Sequence, residues 1–159
     1  MPKDLDVIVH LYKYARAIWF MRTMKLLFIE DDPSLAEVFK AWYADSRLYN
    51  VLVLDTGEEA IEQHRRFKFD LAVVDYQLAG NLNGIDTAVR LLQINPIKLV
   101  FCSNLYSEAD FQSVMLVQPL MILMKPLDKN VLMDAIEKER KSMFGLPNGK
   151  GERGQVSLS

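Results

Sequence analysis

Met24-Lys25-Leu26-Leu27-Phe28-Ile29-Glu30-Asp31-Asp32-Pro33-Ser34 is the stretch on which the fold turns. An apolar run of strand length, Lys25–Glu30, ends in clustered acids, and Pro33-Ser34 punctuates it. Asp32 or Ser34 can cap a helix, and Pro33 suits a first helical turn, where its missing N–H costs nothing. Leu35, Val38, Phe39 and Trp42 then recur at helical spacing. The alternation continues outward along the chain. Asn50–Asp55 predicts a second strand and Glu58–Phe67 a helix, and Leu71–Asp75 a third strand before the loop Tyr76–Asn83. Ile85–Ile94 predicts a helix stopped by Asn95-Pro96, and Lys98–Ser103 a fourth strand. Glu108–Val117 predicts a shorter helix, Met121–Met124 a fifth strand ended by Pro126, and Asp128–Phe144 the last helix. Five strands alternating with five helices imply an α/β fold, a five-stranded parallel sheet with helices on both faces. The strands are near-continuous apolar runs, as strands buried on both sides should be.

A chain of 159 residues suits one domain, half hydrophobic and a quarter charged, as in ordinary globular proteins. The expected layout is an N-terminal extension over 1–23, a domain over 24–144 and a disordered tail over 145–159. The tail holds four of the seven glycines and little that can pack. Residues 1–23 carry four basic and two acidic groups and residues 145–159 two and one, so 24–144 keeps 13 basic against 18 acidic. That acidic middle argues against direct nucleic-acid binding, which calls for a clustered basic patch. The single Cys102 excludes an internal disulfide and a CxxC zinc site, and its apolar setting predicts a small core residue. Nothing requires an oxidising compartment, so the cytoplasm is the expected location.

Leu5–Met21 is apolar but interrupted by His10, Lys13 and Arg16, which excludes a membrane span, and it lacks a signal-peptide cleavage pattern. As a helix it places Ile8, Leu11, Tyr12, Ala15 and Ile18 on one face. Two readings stand side by side. It is an extra helix that packs on the domain or on a second copy in a homodimer, or Met24 is the natural start. Membrane-surface binding ranks behind both.

In an open parallel sheet, ligands sit at the carboxyl ends of the strands. Those ends carry Glu30-Asp31-Asp32, Asp75, Ser103-Asn104 and Lys125-Pro126. Carboxylates this close raise one another's pKa values unless a cation lies between them. Oxygen ligands with room for water and phosphate suit magnesium. A carboxylate beside that ion can attack phosphorus, while a lysine and a hydroxyl serve the phosphoryl oxygens. The set makes sense as an acyl-phosphate site.

The segments Leu27-Phe28-Ile29-Glu30-Asp31-Asp32-Pro33, Asp70-Leu71-Ala72-Val73-Val74-Asp75, Val100-Phe101-Cys102-Ser103 and Met124-Lys125-Pro126 resemble the four signature stretches of bacterial response-regulator receiver domains, in order. The match covers Lys25–Phe144. The resemblance implies a flavodoxin-like sheet of strand order 2-1-3-4-5. It implies Asp75 as phosphoacceptor, with Glu30, Asp31, Asp75 and the Gln77 carbonyl around Mg2+. Ser103 takes the place of the family's Thr or Ser, and Lys125 that of its lysine, with a cis peptide expected at Lys125-Pro126. The implied partners are a histidine kinase or histidine phosphotransfer protein as donor and a downstream protein as target. The implied role is that of a stand-alone signalling module rather than an enzyme.

Three positions depart from the family pattern. Receivers usually carry Tyr or Phe three residues before the lysine, an aromatic that turns inward on phosphorylation; here it is Ile122. Asn104 stands where a small residue is usual, and the loop reads Gln77-Leu78-Ala79-Gly80 where Pro often precedes the glycine. These departures motivate an alternative, a receiver-like adaptor that binds its partner whatever its phosphorylation state. A magnesium-dependent phosphatase would need a second acid two residues after the nucleophile, and Gln77 cannot serve. The lifetime of the phosphorylated form falls to positions matching Gln77 and Leu105. His64, beside Arg65 and Arg66, is expected in solvent, and Glu137–Lys141 on an exposed helix face of mixed charge. His10 has no metal-ligand partner in spacing, and Met121–Met124 and Met133 read as core filler or a partner surface.

Overall fold

Five short strands carry the fold: β1 (Met24–Ile29), β2 (Tyr49–Leu54), β3 (Leu71–Val74), β4 (Lys98–Ser103) and β5 (Met121–Met124). The computed structural model describes residues 3–20, 22–104 and 107–147. Met21, Leu105 and the expected tail from residue 148 lie outside the described residues. The helices are α1 (Lys3–Phe20), α2 (Pro33–Tyr43), α3 (Gly57–Phe67), α4 (Gly84–Ile94), α5 (Glu108–Met115) and α6 (Lys129–Met143). All strand pairs are parallel and the order is β2-β1-β3-β4-β5, so β1 and β3 lie side by side at the centre.

Alternation along each strand sends side chains to opposite faces and so builds two cores. Leu27 and Ile29, Ala72 and Val74, and Leu99 and Phe101 face α3, α4 and α5, meeting Ala60, Leu91 and Val114. Leu26 and Phe28, Leu71 and Val73, and Val100 and Cys102 face α2 and α6, meeting Phe39, Tyr43, Leu132 and Ile136. Cys102 is buried, as its apolar run implies, and burial pushes its thiol up to about 12.

Helix starts follow local chemistry. Asp32 caps α2 by accepting from the N–H groups of Ser34 and Leu35, with Pro33 in the first turn. Asn83, Ser107 and Asp128 cap α4, α5 and α6 in the same way.

The structure corrects two sequence expectations. His64 is fully buried, because Gly57, Ala60, Ile61 and His64 share the inward stripe of α3. Its Nδ1 accepts from the Phe69 N–H at 3.1 Å and its Nε2 faces the Asn95 carbonyl at 3.4 Å, so the neutral ring joins two backbone groups. Arg140 is likewise buried rather than on an exposed face, since Leu132, Ile136 and Arg140 stack at four-residue spacing on the inward side of α6. Its guanidinium grips Glu137 with two hydrogen bonds, Nε at 2.8 Å and Nη2 at 3.0 Å.

Helix α1 is present. Ile8, Leu11, Tyr12 and Ala15 of the expected inward face are all exposed; the Ile18 side chain lies outside the described ones. Among the described residues, no helix is long and apolar enough to cross a membrane.

Candidate functional site

The carboxyl ends of β1 and β3 adjoin, and register brings their acids together: Ile29 pairs with Val74, so Glu30 and Asp75 follow side by side. The Asp75 N–H donates to the Ile29 carbonyl at 3.0 Å, which fixes the start of the loop that follows. Glu30 and Asp75 are buried and Asp31 is exposed. One carboxylate oxygen from each of Glu30, Asp31 and Asp75 lies within 4.8 Å of the other two. Lys125 bridges the buried pair, its Nζ 2.9 Å from Glu30 Oε2 and 2.6 Å from Asp75 Oδ2.

Electrostatics at this edge are unbalanced. Burial, reinforced by the Asp75 charge, holds the Glu30 carboxyl above the usual range, against the pull of Lys125 and the Asp32 N–H. Burial also disfavours the Lys125 charge, but its hydrogen bonds to Asp75 and Glu30 outweigh that and raise its pKa. One ammonium thus faces three carboxylates. Hard oxygen donors in this number, with one of them open to solvent, fit a hard divalent cation.

Ser103 sits at the end of β4 with its Oγ buried and, among the described residues, without a hydrogen-bond partner. An orphaned buried hydroxyl is costly and calls for a partner. The Ser103 carbonyl accepts from the Lys125 N–H at 3.3 Å, joining the ends of β4 and β5, and the Lys125-Pro126 peptide is cis. Gln77 opens the β3–α4 loop, its N–H donating to Asp75 Oδ1 at 3.2 Å. Asn104 is exposed. The structure therefore gathers Glu30, Asp31, Asp75 and Lys125 into one cluster, with Gln77 bonded to it through Asp75 and Ser103 joined through the Lys125 backbone.

Three supports of this edge are not evident from sequence motifs. Gly84 presses on the backbone: a Cβ there would lie 2.1 Å from the Asp75 carbonyl oxygen and 2.8 Å from Tyr76 Cα, so only glycine fits. Glu58, in the first turn of α3, accepts from the Asn81 N–H at 2.9 Å, and that bond first of all lowers its pKa. Gly80, at φ +97°, brings the β3–α4 loop close beneath that carboxylate. The third support is Tyr76, whose hydroxyl donates to Asp110 Oδ1 of α5 at 2.8 Å. The available signal was an aromatic directly after Asp75, yet its partner lies 34 residues away and no periodicity links them.

Residues 26–137 match the family model of the response regulator receiver domain, and the chain belongs to that family. Its members are phosphoacceptor signalling modules of two-component systems rather than turnover enzymes, and they interact with histidine kinases. Among curated relatives, the transcriptional regulatory protein ZraR of Escherichia coli K12 is 31% identical over 114 residues, 71% of this chain and 25% of ZraR. ComA of Bacillus subtilis 168, also a transcriptional regulatory protein, is 32% identical over 89 residues, 55% of this chain and 42% of ComA. The chain thus spans less than half the length of these relatives. Among solved structures, the signal receiver domain of a modulated diguanylate cyclase from Desulfovibrio desulfuricans G20 superposes with a TM-score of 0.65 at 31% identity. That superposition covers 76% of this chain and 98% of the other.

Proposed function

We propose that this receiver accepts a phosphoryl group on Asp75 from a histidine kinase or histidine phosphotransfer protein, and signals through contacts with a downstream protein. The observation that carries the reading is the buried Glu30–Asp75 pair, with Asp31 beside it and Lys125 Nζ between. A Mg2+ ion held by Glu30, Asp31, Asp75 and the Gln77 carbonyl would supply charge neutralisation for the phosphoryl oxygens. An Asp75 carboxylate oxygen attacks phosphorus, the bond to the donor imidazole breaks, and the imidazole leaves with its electron pair and takes a proton. Lys125 turns its ammonium from Asp75 to a phosphoryl oxygen, and the Ser103 hydroxyl gains in another the acceptor it lacks. The downstream surface is the face of α5, β5 and α6, where Phe111, Met115, Met124 and Val131 are exposed.

The test is intact mass after incubation with acetyl phosphate, with and without Mg2+, on wild type and Asp75→Asn. One phosphoryl group is gained by wild type with Mg2+ and none by the variant; equal labelling of both refutes the assignment. A second reading rests on Ile122, an aliphatic packed against the α3–α4–α5 core where receivers usually carry a mobile aromatic. In that reading the domain is an adaptor, and its partner binds equally with and without beryllofluoride.

A further inference from the structure

Tyr76 follows Asp75 by one peptide bond, and its backbone is packed closely against Gly84. Its carbonyl accepts from the Gly84 N–H at 2.8 Å, and Gly84 lies against the Asp75 carbonyl and Tyr76 Cα too closely to admit a Cβ. The side chain packs against the core beneath α3, α4 and α5, and its hydroxyl reaches Asp110 Oδ1 at 2.8 Å. Asp110 stands in the first turn of α5. Its Oδ2 accepts from Ser107 Oγ at 2.8 Å, and the Asp110 N–H donates to Ser107 Oγ at 3.1 Å. One carboxylate thus joins the helix cap to a residue fixed beside the phosphoacceptor.

Helix α5 buries few of its side chains. Val114 is its one buried side chain, while Phe111 and Met115 stand exposed. The chain runs from Ser103 to the Ser107 cap in four residues, and among the described residues the buried Ser103 hydroxyl has no hydrogen-bond partner. An acceptor arriving on Asp75 would offer Ser103 Oγ a partner and pull on the chain leading from Ser103 toward α5, against the Tyr76–Asp110 bond. Ile122 offers no polar group to take part.

We propose that the Tyr76–Asp110 hydrogen bond is a restraint on α5 in its unmodified position, and that breaking it couples Asp75 to the face built from α5, β5 and α6. The proposal rests on the phosphoacceptor reading above.

By linkage, a restraint that binding must break weakens that binding, so its removal strengthens it. Beryllofluoride, titrated in the presence of Mg2+, should bind Tyr76→Phe about 3- to 10-fold more tightly than wild type. Tyr76→Phe combined with Asp110→Ala should bind no more tightly than Asp110→Ala alone, because the Tyr76 hydroxyl acts through Asp110. Without any ligand, amide hydrogen exchange over 108–115 should quicken in Tyr76→Phe, with α3 and α4 unchanged. A merely structural role would loosen α5 without tightening beryllofluoride. Unchanged or weaker affinity in Tyr76→Phe overturns the coupling, and unchanged exchange over 108–115 overturns the restraint. Wild-type protein that binds no beryllofluoride refutes the phosphoacceptor reading itself, and the coupling with it.

Discussion

Replacing Glu137 by Gln tests how α6 is fastened to the sheet. Arg140, fully buried, holds the Glu137 carboxylate through two hydrogen bonds, and the Tyr49 hydroxyl donates to it from β2. Above all, the Arg140 bonds bring the Glu137 pKa down from 4.5 to about 2, with Tyr49 and Lys141 adding to them. For an acid with a depressed folded pKa, the stabilisation is fully present above the unfolded value and is lost as pH falls toward the folded one. The shift corresponds to roughly 3 kcal/mol at pH 7 and about 1 kcal/mol at pH 3. Partial solvent access to Glu137 trims the neutral-pH figure to about 2–3 kcal/mol. Urea unfolding followed by circular dichroism should therefore find Glu137→Gln less stable by that amount at pH 7, and by less than half as much at pH 3. A gap of equal size at both pH values would show that packing rather than charge fastens the helix, and would refute the reasoning.

Two further outcomes follow from buried contacts. Gly84→Ala forces a methyl into the Asp75 backbone, at 2.1 Å from its carbonyl oxygen, and should cost about 3 kcal/mol in thermal or urea unfolding. It should also weaken Mg2+ binding, measured by isothermal titration, because the loop carrying Gln77 must move. His64 has its pKa lowered by burial below the usual 6.5, so the unfolded chain takes up the proton first and stability falls as pH drops below 6.5. The limiting slope is about 1.4 kcal/mol per pH unit, and in His64→Gln that component of the profile should vanish.

The element order was legible because hydrophobic period is a local property. β4 and β5 keep their expected bounds, and the other elements shift by one or two residues where caps decide the ends. The acidic edge was legible for a related reason: parallel strands expose their carboxyl ends together, so residues that follow strands become neighbours. His64 and Arg140 were misread where charge was given precedence over spacing. Each is flanked by charged neighbours, yet each falls on the inward stripe of its helix at the i, i+4 positions of buried apolar residues. Position on the stripe decides burial, and a polar side chain there survives by finding partners, Phe69 and Asn95 for one and Glu137 for the other.

Period and caps, properties of adjacent residues, were enough to assign the class of fold, and the strand-end acids to expect Glu30, Asp31 and Asp75 as neighbours. The contacts across that edge depended on long-range packing. Lys125 reaches Glu30 across 95 positions and Asp75 across 50, and Tyr76 finds Asp110 across 34. Which carboxylates lie in the dry interior, which of the described buried hydroxyls lack a partner and which helix is tied to the site are set by strand order and by helices closing over both faces. No local pattern encodes those distances, because they exist only once the sheet has formed.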